Sequence, residues 1–150
     1  MAQDCKPSKW GKDDQIGAAN LVSPERTLMA AKLIKVLLHT GWTDGMLAKN
    51  PKAWVSGEPG LTNEGAVYLA SLDVMAVGAD TWGVEAVPPV KGDKVFYGHV
   101  TLQAKNGIYI LETMNTGRLA KEIVHEFMFV LGQARLKGAV QMTINPVAMW

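Results

Sequence analysis

Three histidines, His39, His99 and His125, carry the side chains best suited to proton transfer or metal ligation near neutral pH, and no two are close in the chain. Hydrolytic metal sites take about three protein ligands and usually include two histidines near each other in sequence, so histidine spacing alone points to no such site. The most informative pair is His99 with Glu112, on either side of Asn106-Gly107. If that turn folds a strand back along a helix, His99 stands about 10 Å from it at a rise of about 1.5 Å per residue. Glu112 stands about 16 Å from it at about 3.3 Å per residue. Both groups then lie toward the end remote from the turn, where a carboxylate beside an imidazole can serve as a tuned general base or as two ligands of a metal. A structural ion pair has the same signature.

Asp80 lies in Gly78-Ala79-Asp80-Thr81-Trp82-Gly83, where a carboxylate among small residues after an apolar run suits a site at a strand end, or a cap on the following turn. Trp42 and Trp82 are expected on the wall of that cleft, with Asp80 in the same cleft as His99 and Glu112. His39 and His125 sit among apolar neighbours and read as structural histidines, and Glu85 reads as a solvated or capping carboxylate. Cys5, the single cysteine, forms no internal disulfide and reveals no redox compartment. No phosphate-cradling glycine loop, nucleophile elbow or paired-cysteine metal spacing occurs.

The elements that must position these residues follow from periodicity and turn chemistry. Ser23-Pro24-Glu25 starts a helix whose apolar face is Leu28, Ala31 and Ile34. It runs without a turn residue into Val36-Leu37-Leu38, a strand-like run, so either the helix continues through His39 or a block is missing between Lys35 and Val36. Residues 41–60 form a loop rich in Trp, Gly and Pro. Thr62 or Asn63 caps a helix carrying Ala66, Val67, Leu69 and Ala70, and residues 74–77 form a buried strand. A short helix from Gly98 to Lys105 precedes the strand Ile108 to Glu112, with Asn106-Gly107 as its C-terminal cap or as a hairpin turn. Thr116 starts a helical turn, and residues 127–131 and 140–144 are the last strands.

The whole describes one α/β domain over residues 1–150 with a mixed sheet. Its 150 residues are 48% hydrophobic, with 15 basic and 14 acidic side chains, which excludes disorder and leaves no cationic footprint for nucleic acid or an anionic membrane. Apolar runs are far short of the roughly 20 residues that span a bilayer.

Taken together, these motifs resemble the cyclase family of metal-dependent hydrolases, to which bacterial kynurenine formamidase and isatin hydrolase belong. The resemblance runs through Trp10-Gly11, Asp14 to Leu21, His39-Thr40-Gly41-Trp42, Gly57-Glu58-Pro59-Gly60, Gly78 to Gly83, Asn106 to Glu112, and the segment from Glu126 to Ala148 that includes Lys137-Gly138-Ala139. It implies a shortened swivelling β/β/α type of fold, hydrolysis of an amide, lactam or lactone bond, and a divalent metal, zinc or manganese. His99 and Glu112 would be the remaining metal and catalytic groups, joined by Asp80, with Trp42 and Trp82 against a small-molecule substrate. The family's His-x-Gly-Thr-His-x-Asp metal motif is absent, and its place falls at the Lys35/Val36 junction, so the resemblance also implies an internal deletion there. With the motif gone, the resemblance implies either a weakly bound metal and impaired activity or no metal at all. A missing ligand would come from another subunit or from His39, and the alternative is a non-catalytic small-molecule-binding or subunit-interaction protein. A homo-oligomer is expected, because a deleted block bares apolar surface. The location is cytoplasmic or, after removal of a signal peptide, periplasmic.

Overall fold

The computed structural model describes Lys9, Asp13 and residues 35–134 and 136–150. The expected helix from Ser23, with Leu28, Ala31 and Ile34, lies outside the described residues, as do Trp10 and Cys5.

Three short strands form a parallel sheet in the order β1 (Lys35–Leu38), β2 (Ala76–Ala79), β3 (Tyr109–Leu111). A parallel pair needs a crossover, and helices supply both. Between β1 and β2 lie α1 (Trp42–Met46), α2 (Pro51–Ser56) and α3 (Asn63–Ser71). Between β2 and β3 the chain forms one α-helical turn, Tyr97–His99, that continues as a π-helix over Val100–Lys105. After β3 come α4 (Gly117–Lys121) and an antiparallel pair, β4 (Met128–Val130) with β5 (Val147–Met149).

Local chemistry explains several of these ends. The Thr62 hydroxyl accepts from the amide of Gly65 and Asn50 accepts from Ala53, each satisfying a free amide of a first helical turn. Gly107 takes φ 65° after the π-helix, so Asn106-Gly107 closes a helix rather than a hairpin, and β3 runs parallel to its neighbours. The β2 strand is central and all four of its residues are buried, which is why its sequence, Ala-Val-Gly-Ala, shows no alternation. Ala66 and Leu69 from α3, Val77 and Ala79 from β2, and Leu102 and Ile108 form the core against that sheet.

The structure corrects five expectations. Residues 41–60 hold two short helices rather than an open loop. The central strand sits two residues later than 74–77, and the last strand is Val147–Met149, not 140–144, where the alternation of Val140, Met142 and Ile144 belongs to an extended segment outside any ladder. Parallel and antiparallel pairing fall in two separate sheets, not one mixed sheet. Lys35–Leu38 is a strand, so no helix continues through His39. No helix among the described residues is long and apolar enough to cross a membrane.

Leu38 pairs with Ala79 and Gly78 with Leu111, so the residues that follow β1 and β2, His39 and Asp80, leave the sheet at one edge with Glu112, which follows β3. That carboxyl edge is where open α/β sheets place their ligands.

The close fit of the central strand yields a test. A Cβ at Gly78 would stand 2.7 Å from Leu37 Cδ2 and 3.0 Å from Leu111 Cβ, with the Leu111 carbonyl at 3.1 Å, so neighbours on both sides would have to yield. Gly78→Ala is expected to lower the free energy of unfolding by about 1–3 kcal/mol in a denaturant titration. A midpoint equal to that of the parent chain would show that the strands are not packed this closely.

Candidate active site

Glu85 follows β2 in a loop held against Leu61, whose amide donates to the Val84 carbonyl (2.9 Å) and whose carbonyl accepts from Ala86 (3.0 Å). This places the Glu85 carboxyl, 5% exposed, under the first turn of the helix Tyr97–His99. One oxygen accepts from the amide of Gly98 (2.8 Å), and the other from the amide of His99 (2.8 Å) and from its ring Nδ1 (2.6 Å). A side chain at 98 would collide with that carboxyl, since a Cβ would lie 2.7 Å from its carbon.

The opposite ring nitrogen, Nε2, is 3.1 Å from Oε1 of Glu112. Glu112 Oε2 accepts from Gln141 Nε2 at 3.2 Å, which ties in the segment before β5. His99 is thus gripped between two carboxylates, with the Phe96 ring standing edge-on at 5.5 Å. The hydrogen bonds to Glu112 and then to Glu85 raise its pKa to about 9 against the opposing effect of burial, so the ring is a cation at neutral pH. Burial pushes Glu85 upward, but the bonds from the His99 ring and the two amides outweigh it and hold the carboxyl below its usual range.

Backbone strain collects around the same three groups. Val84 (φ 63°) precedes Glu85, Phe96 (φ 52°) precedes the helix that carries His99, and Thr113 (φ 53°) follows Glu112. A left-handed conformation costs a non-glycine residue roughly 1–3 kcal/mol, and Val and Thr, branched at Cβ, fit it worst. Strain of this kind persists at sites where side-chain placement matters more than local stability.

A second cluster stands at the ends of β1 and β2. Asp80, 2% exposed, accepts at Oδ1 from the amide and the hydroxyl of Thr40, both at 2.8 Å. Its Oδ2 takes no hydrogen bond and lies 3.8 Å from His39 Nδ1, which is itself 2.8 Å from Thr116 Oγ1. Asp80 therefore shares the sheet edge with Glu112 but makes no hydrogen bond with it or with His99. A cavity of about 240 Å³ has both Glu112 and Thr116 in its lining, together with Leu37, Phe129, Ile144 and Pro146. Trp42 and Trp82 do not line it. Their indole N–H groups both donate to the carbonyl of Trp54, at 3.3 and 3.0 Å, and so brace the loop rather than face this cavity.

Sequence reasoning paired His99 with Glu112 but missed Glu85, Gln141 and Glu58. Glu85 is no solvated group, and nothing in its spacing distinguishes it from one. Glu58 is buried and accepts from the amides of Trp82 (2.6 Å) and Gly83 (2.7 Å). Burial raises its pKa to about 7 despite those bonds, and the charges of Glu112 and Asp80 add to the effect. Its setting in Gly57-Glu58-Pro59-Gly60 is a signal that could have singled it out. His125, expected among structural groups, is exposed.

A metal fits this arrangement only in part. His99 Nε2 and Glu112 Oε1 are spaced as two donors about 2.0–2.2 Å from one ion would be, and Glu85 on Nδ1 is the usual outer partner of a ligating histidine. Yet among the described residues no three His, Cys, Asp or Glu side chains converge as a metal cage, and His39 belongs to the other cluster. The described residues do not make a self-sufficient metal site.

A sequence profile for a family described as "Putative cyclase" matches residues 7–86, just over half of the 150-residue chain. The match takes in Glu58, Asp80 and Glu85 and stops before His99 and Glu112. No curated protein and no solved structure matches the chain.

These ionisations fix how stability responds to pH. His99 holds its proton more tightly in the fold than at its ordinary 6.5, so its contribution is complete below that pH and is lost as pH rises through about 9. Glu58, raised from 4.5 to about 7, adds a further loss between those values. The depressed pKa of Glu85 acts in the opposite sense, its contribution vanishing as pH falls through the acid range. Raising the pH from about 6.5 to 9 is expected to lower the unfolding free energy by about 2 kcal/mol, and His99→Gln should flatten the slope. A parent profile flat over that range would contradict the grip on His99. Relief of strain offers a companion measurement: Thr113→Gly should raise stability by about 1 kcal/mol while weakening the placement of Glu112.

Proposed function

This chain belongs to the cyclase family, and we propose that it is a shortened member, on a swivelling β/β/α type of scaffold, that hydrolyses an amide, lactam or lactone bond at the carboxyl edge of its parallel sheet. The observation that carries the reading is the Glu85–His99–Glu112 chain, two carboxylates around one imidazolium beside a cavity large enough for a small organic substrate. Glu112 lines the cavity and can take a proton from an attacking water and pass the same proton to the leaving group. His99, held as a cation behind Glu112, offsets the negative charge that develops. Glu85 fixes the ring and, with Glu112, keeps it charged.

The family is metal-dependent, and a divalent zinc or manganese ion would call on His99 and Glu112 together with donors beyond the described residues. Those donors would come from a second copy, and the junction at Lys35/Val36 would mark the block whose loss removed them. Support for a second copy comes from the antiparallel pair β4–β5: its residues Phe129 and Ala148 line the cavity, while Met128, Val130, Val147 and Met149 on the alternate positions leave an apolar face about half exposed. The completeness with which both His99 nitrogens are occupied favours a second reading, in which the scaffold binds a small molecule without turning it over.

The test uses the full chain purified without chelator, assayed against a set of N-formyl amides, lactams and lactones with and without added zinc or manganese, its mass followed by light scattering. We expect at least a dimer and measurable hydrolysis of one bond class, with His99→Ala and Glu112→Gln each lowering kcat/KM about 100-fold. Activity equal in parent and His99→Ala would place the chemistry elsewhere. Saturable binding with no turnover under any condition would favour the non-catalytic reading.

A further inference from the structure

The second cluster at the sheet edge has no part in the Glu85–His99–Glu112 chain, yet one of its members, the buried Thr116, lines the same cavity as Glu112. A buried carboxylate oxygen with no hydrogen bond among the described residues, Asp80 Oδ2, is costly unless a positive or donor group faces it, and His39 Nδ1 stands 3.8 Å away. An acceptor-only oxygen at that distance favours the tautomer with hydrogen on Nδ1. That hydrogen then has the Thr116 oxygen, 2.8 Å away, as its direct acceptor. With its oxygen so engaged, the Thr116 hydroxyl keeps its own hydrogen to give, and the cavity lies beside it.

We infer that Thr116 is a substrate-binding residue whose hydroxyl donates to the carbonyl oxygen of the bond to be hydrolysed, with His39 and Asp80 as the positioning pair that turns the hydroxyl toward the cavity. The inference rests on the proposed hydrolysis of a carbonyl compound. The labour is divided along the sheet edge: the end of β3 supplies the proton acceptor, Glu112, and the ends of β1 and β2 supply the pair that orients a hydrogen-bond donor, Thr116, in the lining of the same cavity. A neutral donor held by a histidine whose tautomer is set by a buried carboxylate is preorganised, so little freedom is lost when the carbonyl arrives or when charge grows on its oxygen. Asp80 thereby acquires a role through His39 and Thr116 rather than through His99.

The probe is δ-valerolactam carrying ¹³C at its carbonyl, small enough for the cavity and equipped with one carbonyl acceptor. Its infrared carbonyl band is read when bound to the full chain, and its Kd by calorimetry, so neither readout depends on turnover or on a metal. The bound band is expected at the same low frequency in the parent and in Thr116→Ser. In Thr116→Val it should move up, with binding weakened about fivefold, the fold-change of one lost neutral hydrogen bond. His39→Phe alters a partly exposed side chain and leaves the hydroxyl without its orientation. It too should raise the frequency, which keeps the test decisive if Thr116→Val fails to fold. An unchanged band and Kd in Thr116→Val or His39→Phe, or no bound band in the parent at saturating probe, would overturn the assignment, whereas absent hydrolysis with these shifts intact would count only against the proposed reaction.

Discussion

The carboxylate of Glu85 receives three hydrogen bonds under the first turn of the helix that carries His99, and much else follows from that contact. It excludes any side chain at position 98, starts the helix at a fixed place and aims the imidazole so that its far nitrogen meets Glu112. The hydrogen bonds to Glu112 and then to Glu85 hold the ring in the charged state, and the charged ring in turn matches two carboxylates that would be costly to bury alone. Gln141 then binds the remaining oxygen of Glu112, so the last segment of the chain is fastened to the sheet through the same series of polar contacts. The left-handed residues at 84, 96 and 113 are strained places where the backbone conforms to this series rather than to its own preference.

The parallel register supplies the other half of the architecture. Three strands ending level with one another deliver His39, Asp80 and Glu112 to one edge, yet the side chains sort into two groups that share a cavity and no hydrogen bond. Among the described residues no three His, Cys, Asp or Glu side chains converge as a metal cage at this edge, and much of its polarity is carried by hydroxyls, carboxylates and imidazoles bound to one another.

Much of this was legible in the sequence where a residue's type constrains its surroundings. Thr62 caps its helix, Gly107 requires a left-handed turn, and the spacing of His99 and Glu112 about that turn brings them together. The rest depended on contacts far apart in the chain. Nothing local marks Glu85 as buried, because its partner is the first turn of a helix 13 residues later. The two short helices within residues 41–60 were hidden by glycine and proline, and the alternation at Val140, Met142 and Ile144 misled because a period of two describes an extended segment whether or not a neighbour pairs with it. The two tryptophans expected in the cleft serve the Trp54 carbonyl instead, a contact that no spacing rule anticipates.

Nitrogen-15 magnetic resonance of the histidine rings at pH 7 reads directly whether Glu112 and Glu85 together hold His99 as a cation. Both ring nitrogens of His99 are expected to carry hydrogen in the parent chain, and replacing both carboxylates, Glu112→Gln with Glu85→Gln, is expected to return the ring to a neutral state with one bare nitrogen. A bare nitrogen on His99 in the parent chain at that pH would contradict the grip of the two carboxylates.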